Sequence, residues 1–268
     1  LDIVSINQSL SLSSGAPVAV KVVPVDEAKT EFQLTTSLGA KSKQHFLPPL
    51  RSLQSVPIRP DLAALVFPWV VGSTLSSWIP KTADQVLSVA VQLLEAVQVM
   101  YDLRIVHFDI KPSNLMISKA GIVKVLDLGL ARLLKQESPD SELTNAGQIM
   151  GTVEYMASEQ AESLTDVDFR ADIYSLGVTL YKLLAGASPY RFDEQDPAWK
   201  RLQKITTQTP IPLTEFRAEL PPPLIQLVSD MLEREPAKRP ASMAEVAERL
   251  QPFCAEANLA QLLSVDAE

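Results

Sequence analysis

The stretch HFDIKPSNL at His107–Leu115 holds an acid, a lysine and an amide within six positions of one another. Eighteen residues after Asp109, the chain reads DLG at Asp127–Gly129. Either acid alone would be interpreted as a solvated loop carboxylate. Their order and spacing along the chain instead favour a shared site.

A predicted β-hairpin connects these two stretches. Two short apolar runs, Leu115–Ile117 and Val123–Leu126, are separated by a polar turn, which is the pattern of a hairpin. The hairpin brings Asn114 and Asp127 together, and carboxylate and amide oxygens suit a magnesium ion that keeps its other positions for phosphate. Asp109 is then left to orient and deprotonate an attacking hydroxyl.

The chain before this centre predicts short strands and one helix. Val18–Val23 is rich in β-branched residues and follows a turn, and Leu62–Val66 is a second apolar run. Between them, Asp26–Leu38 has helical composition, with Asp26 as a candidate N-cap and Gly39 as a candidate stop.

The chain after residue 82 predicts mainly helices. Apolar residues recur at spacings of three and four from Val86 to Met100, which indicates one face of a long helix. Asp172–Leu184 is apolar on nearly every side and predicts a fully buried helix. Strands first and helices afterwards give a two-lobed α+β fold.

Composition excludes several classes of function. The 268 residues carry a formal net charge of −8, and an acidic chain lacks the basic surface that nucleic acid or anionic membrane requires. Cys254 is the only cysteine, which excludes intrachain disulfides and cysteine-rich zinc sites and predicts a reducing, cytoplasmic location. The longest apolar stretch, Leu62–Leu75, is interrupted by proline, glycine and polar residues, so no membrane contact is expected of this domain.

Five blocks in order along the chain carry a resemblance to a known family. Besides the two central stretches, they are GTVEYMASE at Gly151–Glu159, DIYSLGV at Asp172–Val178 and EPAKRP at Glu235–Pro240. In this order the blocks resemble the catalytic domain of bacterial serine/threonine protein kinases. The resemblance implies a kinase-like fold with a small β-rich lobe and a larger, mainly helical lobe.

The resemblance also implies roles for individual residues. Asp109 would be the catalytic base and Asp127 the main magnesium ligand, whereas Asn114 would hold a second metal ion. Lys111 would lie near the transferred phosphate. Thr152 would help to position the substrate hydroxyl, and both features favour serine or threonine as acceptor.

Two upstream segments resemble the family's nucleotide-binding elements. VAVK at Val18–Lys21 resembles the strand whose lysine contacts the ATP phosphates. Its expected partner is an acid on the next helix; Glu31 is the candidate and Glu27 the runner-up.

Leu65–Gly72 resembles the hinge between the two lobes. Adenine would bind beside Phe67, with the backbone of Pro68 and Val70 offering hydrogen bonds. Trp69 would otherwise be only a packed aromatic residue.

The implied domain organisation is one catalytic domain, with a small lobe over residues 1–71 and a large lobe over residues 72–268. The sequence contains no G-x-G-x-x-G loop. The chain begins at Leu1 rather than Met, so we expect a fragment cut at that loop, and the alternative is a protein that covers its phosphates differently. Whether a longer parent protein is tethered to a membrane stays open.

Three further positions depart from the family pattern. Phe108 replaces the arginine beside the catalytic acid, which suggests that activity needs no phosphate on the activation loop. In the activation segment, Leu128 before Gly129 replaces a phenylalanine. Ser158 replaces a proline before Glu159, but the expected ion pair with Arg239 is preserved.

The sequence therefore predicts an ATP- and magnesium-dependent serine/threonine protein kinase that acts on protein substrates, with autophosphorylation as one possibility. The alternative is a pseudokinase that binds nucleotide or acts as a scaffold, favoured by the absent glycine loop and by Phe108 and Ser158. A third class is kinases of the same fold that phosphorylate small molecules, but the Lys111-Pro112 pair and the segment Gly151–Glu159 both favour protein substrates.

Overall fold

The computed structural model of the chain describes residues 10–11, 17–50, 54–56, 59–133, 153–162 and 167–254. Its first part is a four-stranded antiparallel sheet with the order β1-β2-β4-β3. The strands are β1 (Leu10–Ser11), β2 (Pro17–Pro24), β3 (Gln54–Val56) and β4 (Arg59–Pro68). Lys21 on β2 lies opposite Leu65 on β4.

Helix α1 (Val25–Lys41) follows β2 directly and differs from its prediction at both ends. Pro24 occupies the N-cap position without a side-chain cap, and Asp26 lies in the first turn, where an acid complements the helix dipole. The helix continues through Gly39, so the predicted stop was wrong. A Cβ atom at Gly39 would lie 2.8 Å from Cβ of Pro48, so glycine is needed for close packing and not for termination.

The predicted hairpin is present and belongs to a second sheet. This sheet has three antiparallel strands in the order β5-β7-β8. A separate pair of strands, β6 with β9, precedes and follows the segment that holds Asp109, Asn114 and Asp127. The strands are β5 (Gly72–Thr74), β6 (Ile105–Val106), β7 (Leu115–Ser118), β8 (Val123–Val125) and β9 (Arg132–Leu133).

Six helices form the second part of the described chain. The long predicted helix is α2 (Ala83–Asp102), which begins after Thr82, whose side chain accepts a hydrogen bond from the backbone N–H of Gln85. The others are α3 (Ser158–Glu162), α4 (Arg170–Ala185), α5 (Ala198–Thr207), α6 (Pro222–Met231) and α7 (Met243–Leu250). As predicted, most residues of α4 are buried.

The buried apolar residues form two separate cores, which confirms the two-lobed α+β fold. The smaller core joins the first sheet to α1 through Val23, Ala28, Ala63 and Leu65. The larger core surrounds α2 and α4 and includes the inner face of the hairpin. Among the described residues, no helix is both long and apolar enough to cross a membrane.

Candidate active site

The hairpin places Asn114 and Asp127 at its open end. Asn114 closes a single turn of 3-10 helix over Pro112–Asn114, and β7 begins at the next residue. The backbone N–H of Leu126, just after β8, donates to the carbonyl of Asn114 at 2.8 Å. This bond holds the two ends of the hairpin together, so that Asn114 and Asp127 are neighbours although thirteen positions separate them.

Asp109 is buried, and only one of its carboxylate oxygens has partners. Oδ2 accepts a hydrogen bond from Asn114 Nδ2 at 2.8 Å and lies 2.7 Å from Lys111 Nζ. The same Nδ2 also donates to the backbone carbonyl of Asp109 at 2.9 Å. Oδ1 is buried without a hydrogen-bond partner in the described part of the chain. The carboxylate is therefore fixed in orientation, with one oxygen free to accept a proton.

The donor set at the open end of the hairpin fits a magnesium ion. Asn114 uses its Nδ2 group towards Asp109, which leaves the amide oxygen as an acceptor. Asp127 adds a carboxylate. Within the described ranges, no cluster of three or more histidine, cysteine or acidic residues exists that would hold a metal ion. Two oxygen ligands from the protein suit magnesium, which usually binds few carboxylates together with water and substrate phosphates.

Lys21 connects the small lobe to this site. Its Nζ atom lies 2.6 Å from Oε2 of Glu31 on α1 and 2.6 Å from Oδ1 of Asp127. Glu31 is buried, whereas the runner-up Glu27 is exposed. The ion pair predicted from the sequence is thus present with its first candidate, and Lys21 joins an acid from each lobe.

Burial and charge oppose each other in this group of three. Burial acts to lower the pKa of Lys21, but the carboxylates of Asp127 and Glu31 outweigh it and the pKa is raised. Burial raises the pKa of Glu31, and Lys21 offsets that only in part. For Asp127, Lys21 outweighs the effect of burial and holds the pKa below its usual value. Lys21 and Asp127 are therefore charged at neutral pH.

Asp172 on α4 anchors the segment that leads to Asp109, and it was not predicted from the sequence as a functional residue. Its two oxygens accept hydrogen bonds from the backbone N–H groups of His107 at 2.8 Å and Phe108 at 2.9 Å. Phe108 has a φ of 61°, a left-handed conformation that costs about 1–2 kcal/mol for a residue other than glycine. The signal in the sequence was an acid inside an otherwise apolar, fully buried helix, since a buried charge needs partners.

His107 and Gln160 also contact this loop. The ring of His107 is buried and accepts a hydrogen bond from the backbone N–H of Asp109 at 3.3 Å, which is a structural role. Gln160 on α3 donates to the backbone carbonyl of Phe108 at 3.2 Å. No pattern in the sequence pointed to Gln160.

The residues predicted for the activation segment are described at two places in the chain, directly after Asp127 and at the start of α3. Leu128 is buried in the larger core, and the backbone N–H of Gly129 donates to Oδ1 of Asp127 at 3.3 Å. The predicted pair of Glu159 with Arg239 is present, with contacts of 2.6 and 2.8 Å. Thr152 lies outside the described residues.

The predicted hinge lies where the chain passes from one sheet to the other. Phe67 and Pro68 end β4, and Phe67 packs against the smaller core. Val70 follows, just before β5 joins the hairpin sheet. Trp69 is 45% exposed and is not a packed aromatic residue.

Two lobes joined by such a connection, with a lysine–acid pair facing a hairpin that carries an acid and an amide, are the arrangement expected of a protein kinase fold. The profile of the family described as "Protein kinase domain" matches residues 4–250. The chain therefore belongs to the protein kinase family, as the sequence motifs predicted.

Bacterial serine/threonine-protein kinases are among the curated proteins to which the chain is similar. The protein pkn3 of Myxococcus xanthus is 35% identical over 200 residues, which are 72% of this chain and 34% of that protein. Pkn1 of the same organism is 33% identical over 260 residues, 91% of this chain and 36% of Pkn1. PknB of Mycolicibacterium smegmatis is 32% identical over 189 residues, 69% of this chain and 29% of PknB. The chain thus spans about a third of the length of these relatives.

Proposed function

We propose that this domain transfers the γ-phosphate of ATP to serine or threonine hydroxyls of proteins. The observation that carries the proposal is the carboxylate of Asp109. One of its oxygens is held by Asn114 and Lys111, whereas the other is buried with no partner among the described residues. A fixed acceptor oxygen in a water-poor site is what a general base needs.

In the proposed reaction, Oδ1 of Asp109 accepts the hydroxyl proton of the substrate as the hydroxyl oxygen bonds to the γ-phosphorus. The bond from that phosphorus to the β,γ-bridging oxygen breaks, and ADP leaves. Lys111, whose ammonium already contacts Asp109, would offset the negative charge of the transferred group. Most of the rate enhancement would come from positioning and charge stabilisation.

Asp127 and Asn114 are the residues that would hold magnesium, which neutralises phosphate charge when bound. Lys21 would contact the α- and β-phosphates, and Glu31 would keep its ammonium in place. Phe67, Pro68 and Val70 would form the adenine-binding side of the hinge.

We favour the active kinase over the pseudokinase alternative because Asp109 and Lys21 keep contacts that catalysis would use, although Phe108 and Ser158 depart from the family pattern. A lost catalytic function would leave no reason to retain the fixed orientation of Asp109 or the contacts of Lys21. We further propose protein substrates as partners, in keeping with the names of the relatives. Since the reaction consumes ATP and Cys254 is a free thiol, we propose that the domain works in the cytoplasm.

The test is transfer of the γ-phosphate from ATP to a generic protein substrate and to the protein itself, with magnesium and the full-length protein. Asp109→Asn should lower kcat by about 10²–10⁴-fold while ATP affinity is retained. Asp61→Asn is the matched control, because Asp61 is an exposed acid on β4. Equal rates for wild type and Asp109→Asn would reject the base, and ATP binding without any transfer by the wild type would favour the pseudokinase.

A further inference from the structure

Gln160 makes two side-chain hydrogen bonds to the backbone of two different segments. It is buried, with 4% of its surface exposed, on the short helix α3. Its Oε1 accepts from the backbone N–H of Ala157 at 2.9 Å. Its Nε2 donates to the backbone carbonyl of Phe108 at 3.2 Å. The side chain therefore bridges the end of the activation segment and the catalytic loop.

Only one of these two bonds is explained by helix formation. Glutamine or glutamate at the third position of a helix commonly accepts a hydrogen bond from the residue that precedes the helix, as Gln160 does from Ala157. A glutamate would do this equally well. The bond to Phe108 is different, because it needs an N–H donor that a glutamate lacks.

Phe108 is a residue whose backbone needs to be held. It has the left-handed φ of 61° and immediately precedes Asp109. Its N–H is bound by Asp172 at 2.9 Å and its carbonyl by Gln160 at 3.2 Å. Asp172 and Gln160 thus hold both polar backbone groups of Phe108, one from each side, and rotation of either peptide would move Asp109.

Helix α3 is a firm base for this contact. The two residues before Gln160 are also fixed to the large lobe. Ser158 Oγ donates to the carbonyl of Arg234 at 3.1 Å, and Glu159 binds the buried guanidinium of Arg239. Since its neighbours are held, Gln160 has little freedom to follow Phe108 if the loop shifts.

We propose that Gln160 is a positioning residue for phosphoryl transfer: from α3, it holds the Phe108 carbonyl and thereby keeps Asp109 in its working position. The inference rests on the proposed function. The position of α3, which follows the activation segment, would thereby help to set the conformation of the catalytic loop. It would do so through a hydrogen bond between two neutral groups.

Gln160→Glu tests this directly, because it preserves shape and the bond to Ala157 but places a carboxylate oxygen against the Phe108 carbonyl. We expect kcat to fall about 10- to 100-fold. The KM for ATP should stay within about twofold, since the substitution leaves Lys21 and Asp127 untouched. A purely structural role for Gln160 would lower stability without this separation of kcat from KM.

Gln92→Glu is the matched control. Gln92 on α2 likewise accepts from a backbone N–H, that of Val123 at 2.9 Å, and donates to a backbone carbonyl, that of Gly121 at 2.8 Å. These contacts lie at the turn of the hairpin, at its far end from Asn114 and Asp127. We expect Gln92→Glu to lower the melting temperature and to leave kcat near that of the wild type.

A second variant tests whether Gln160 acts through the backbone of Phe108. Asparagine tolerates the left-handed conformation better than phenylalanine, so Phe108→Asn should reduce the need for the contact. Gln160→Glu should then cost less kcat in the Phe108→Asn background than in the wild type. Equal losses in both backgrounds, or equal kcat for Gln160→Glu and Gln92→Glu, would overturn the inference. In either case transfer by the wild type and its loss in Asp109→Asn would leave the proposed function intact.

Discussion

Arg239 uses all of its hydrogen-bonding capacity inside the protein. A guanidinium has five N–H donors, and its side chain here is fully buried. Two donors bind the carboxylate of Glu159, and the other three bind the backbone carbonyls of Arg170, Glu233 and Arg234 at 2.7–2.9 Å. Replacement by lysine keeps the positive charge and tests the geometry alone.

Lysine has three donors on a single nitrogen, so Arg239→Lys removes the donor of residue 239 from at least two of these five acceptors. The Arg234 carbonyl and Glu159 keep a contact from Ser158 Oγ. A buried acceptor that loses its donor costs about 1–3 kcal/mol. The free energy of unfolding should therefore fall by about 2–6 kcal/mol. Because 1 kcal/mol corresponds to about 2–4 °C in a domain of this size, we expect a melting temperature lower by at least about 4 °C.

Thermal melting followed by circular dichroism, together with urea unfolding, measures both quantities. Arg59→Lys is the control, since Arg59 also binds one carboxylate through two nitrogens, at 2.9 and 2.7 Å from Asp61, but both side chains are more than half exposed. The melting temperature of Arg59→Lys should equal that of the wild type. If Arg239→Lys and Arg59→Lys have the same melting temperature, satisfied donors at Arg239 do not stabilise the fold.

The contacts around Lys21 and Phe108 carry three more expectations. Gly129→Ala should weaken magnesium-dependent ATP binding in calorimetry, because a Cβ atom there would lie 3.1 Å from Oδ1 of Asp127 and 3.4 Å from Nζ of Lys21; an unchanged Kd would contradict this. Since the folded-state pKa of Lys21 is raised above 10.5, its contribution to stability is fully present below that pH and is lost as the pH rises through the raised pKa. The difference in melting temperature between wild type and Lys21→Met should shrink only above about pH 10.5, and a difference that shrinks near neutral pH would refute the assignment. Phosphatase treatment should leave transfer activity unchanged, because Phe108 has no charge with which to bind a phosphate; an inactivated sample would reject that reasoning.

Local patterns predicted much of the site. The spacing of apolar runs gave the hairpin, and the hairpin determines that Asn114 and Asp127 are neighbours. Glu31 could be chosen because it lies on the helix directly after the strand of Lys21, so the chain itself limits where its carboxylate can be.

Contacts between distant segments could not be predicted in this way. Asp172 lies 64 residues from Phe108, and Gln160 lies 52 residues from it. The local sequence around Asp172 or Gln160 does not indicate that Phe108 is the partner. Every residue has a backbone carbonyl and nearly every residue a backbone N–H, so the identity of the partner leaves no pattern in the sequence. The prediction that Gly39 ends α1 was wrong for a related reason. Glycine is needed there because the following loop brings Pro48 against the helix.

The position of Arg239 near the end of the domain also has a consequence for protein synthesis. Its main partner, Glu159, is made 80 residues earlier, and a chain grows on the ribosome from its N-terminus. Until residue 239 has emerged, the carboxylate of Glu159 and the carbonyl of Arg170 lack their cation, although the catalytic loop has long been exposed. The anchoring of α3 therefore waits until Arg239 has emerged, and a chain terminated before Arg239 would keep Asp109 and Asn114 without the support that this ion pair gives to α3.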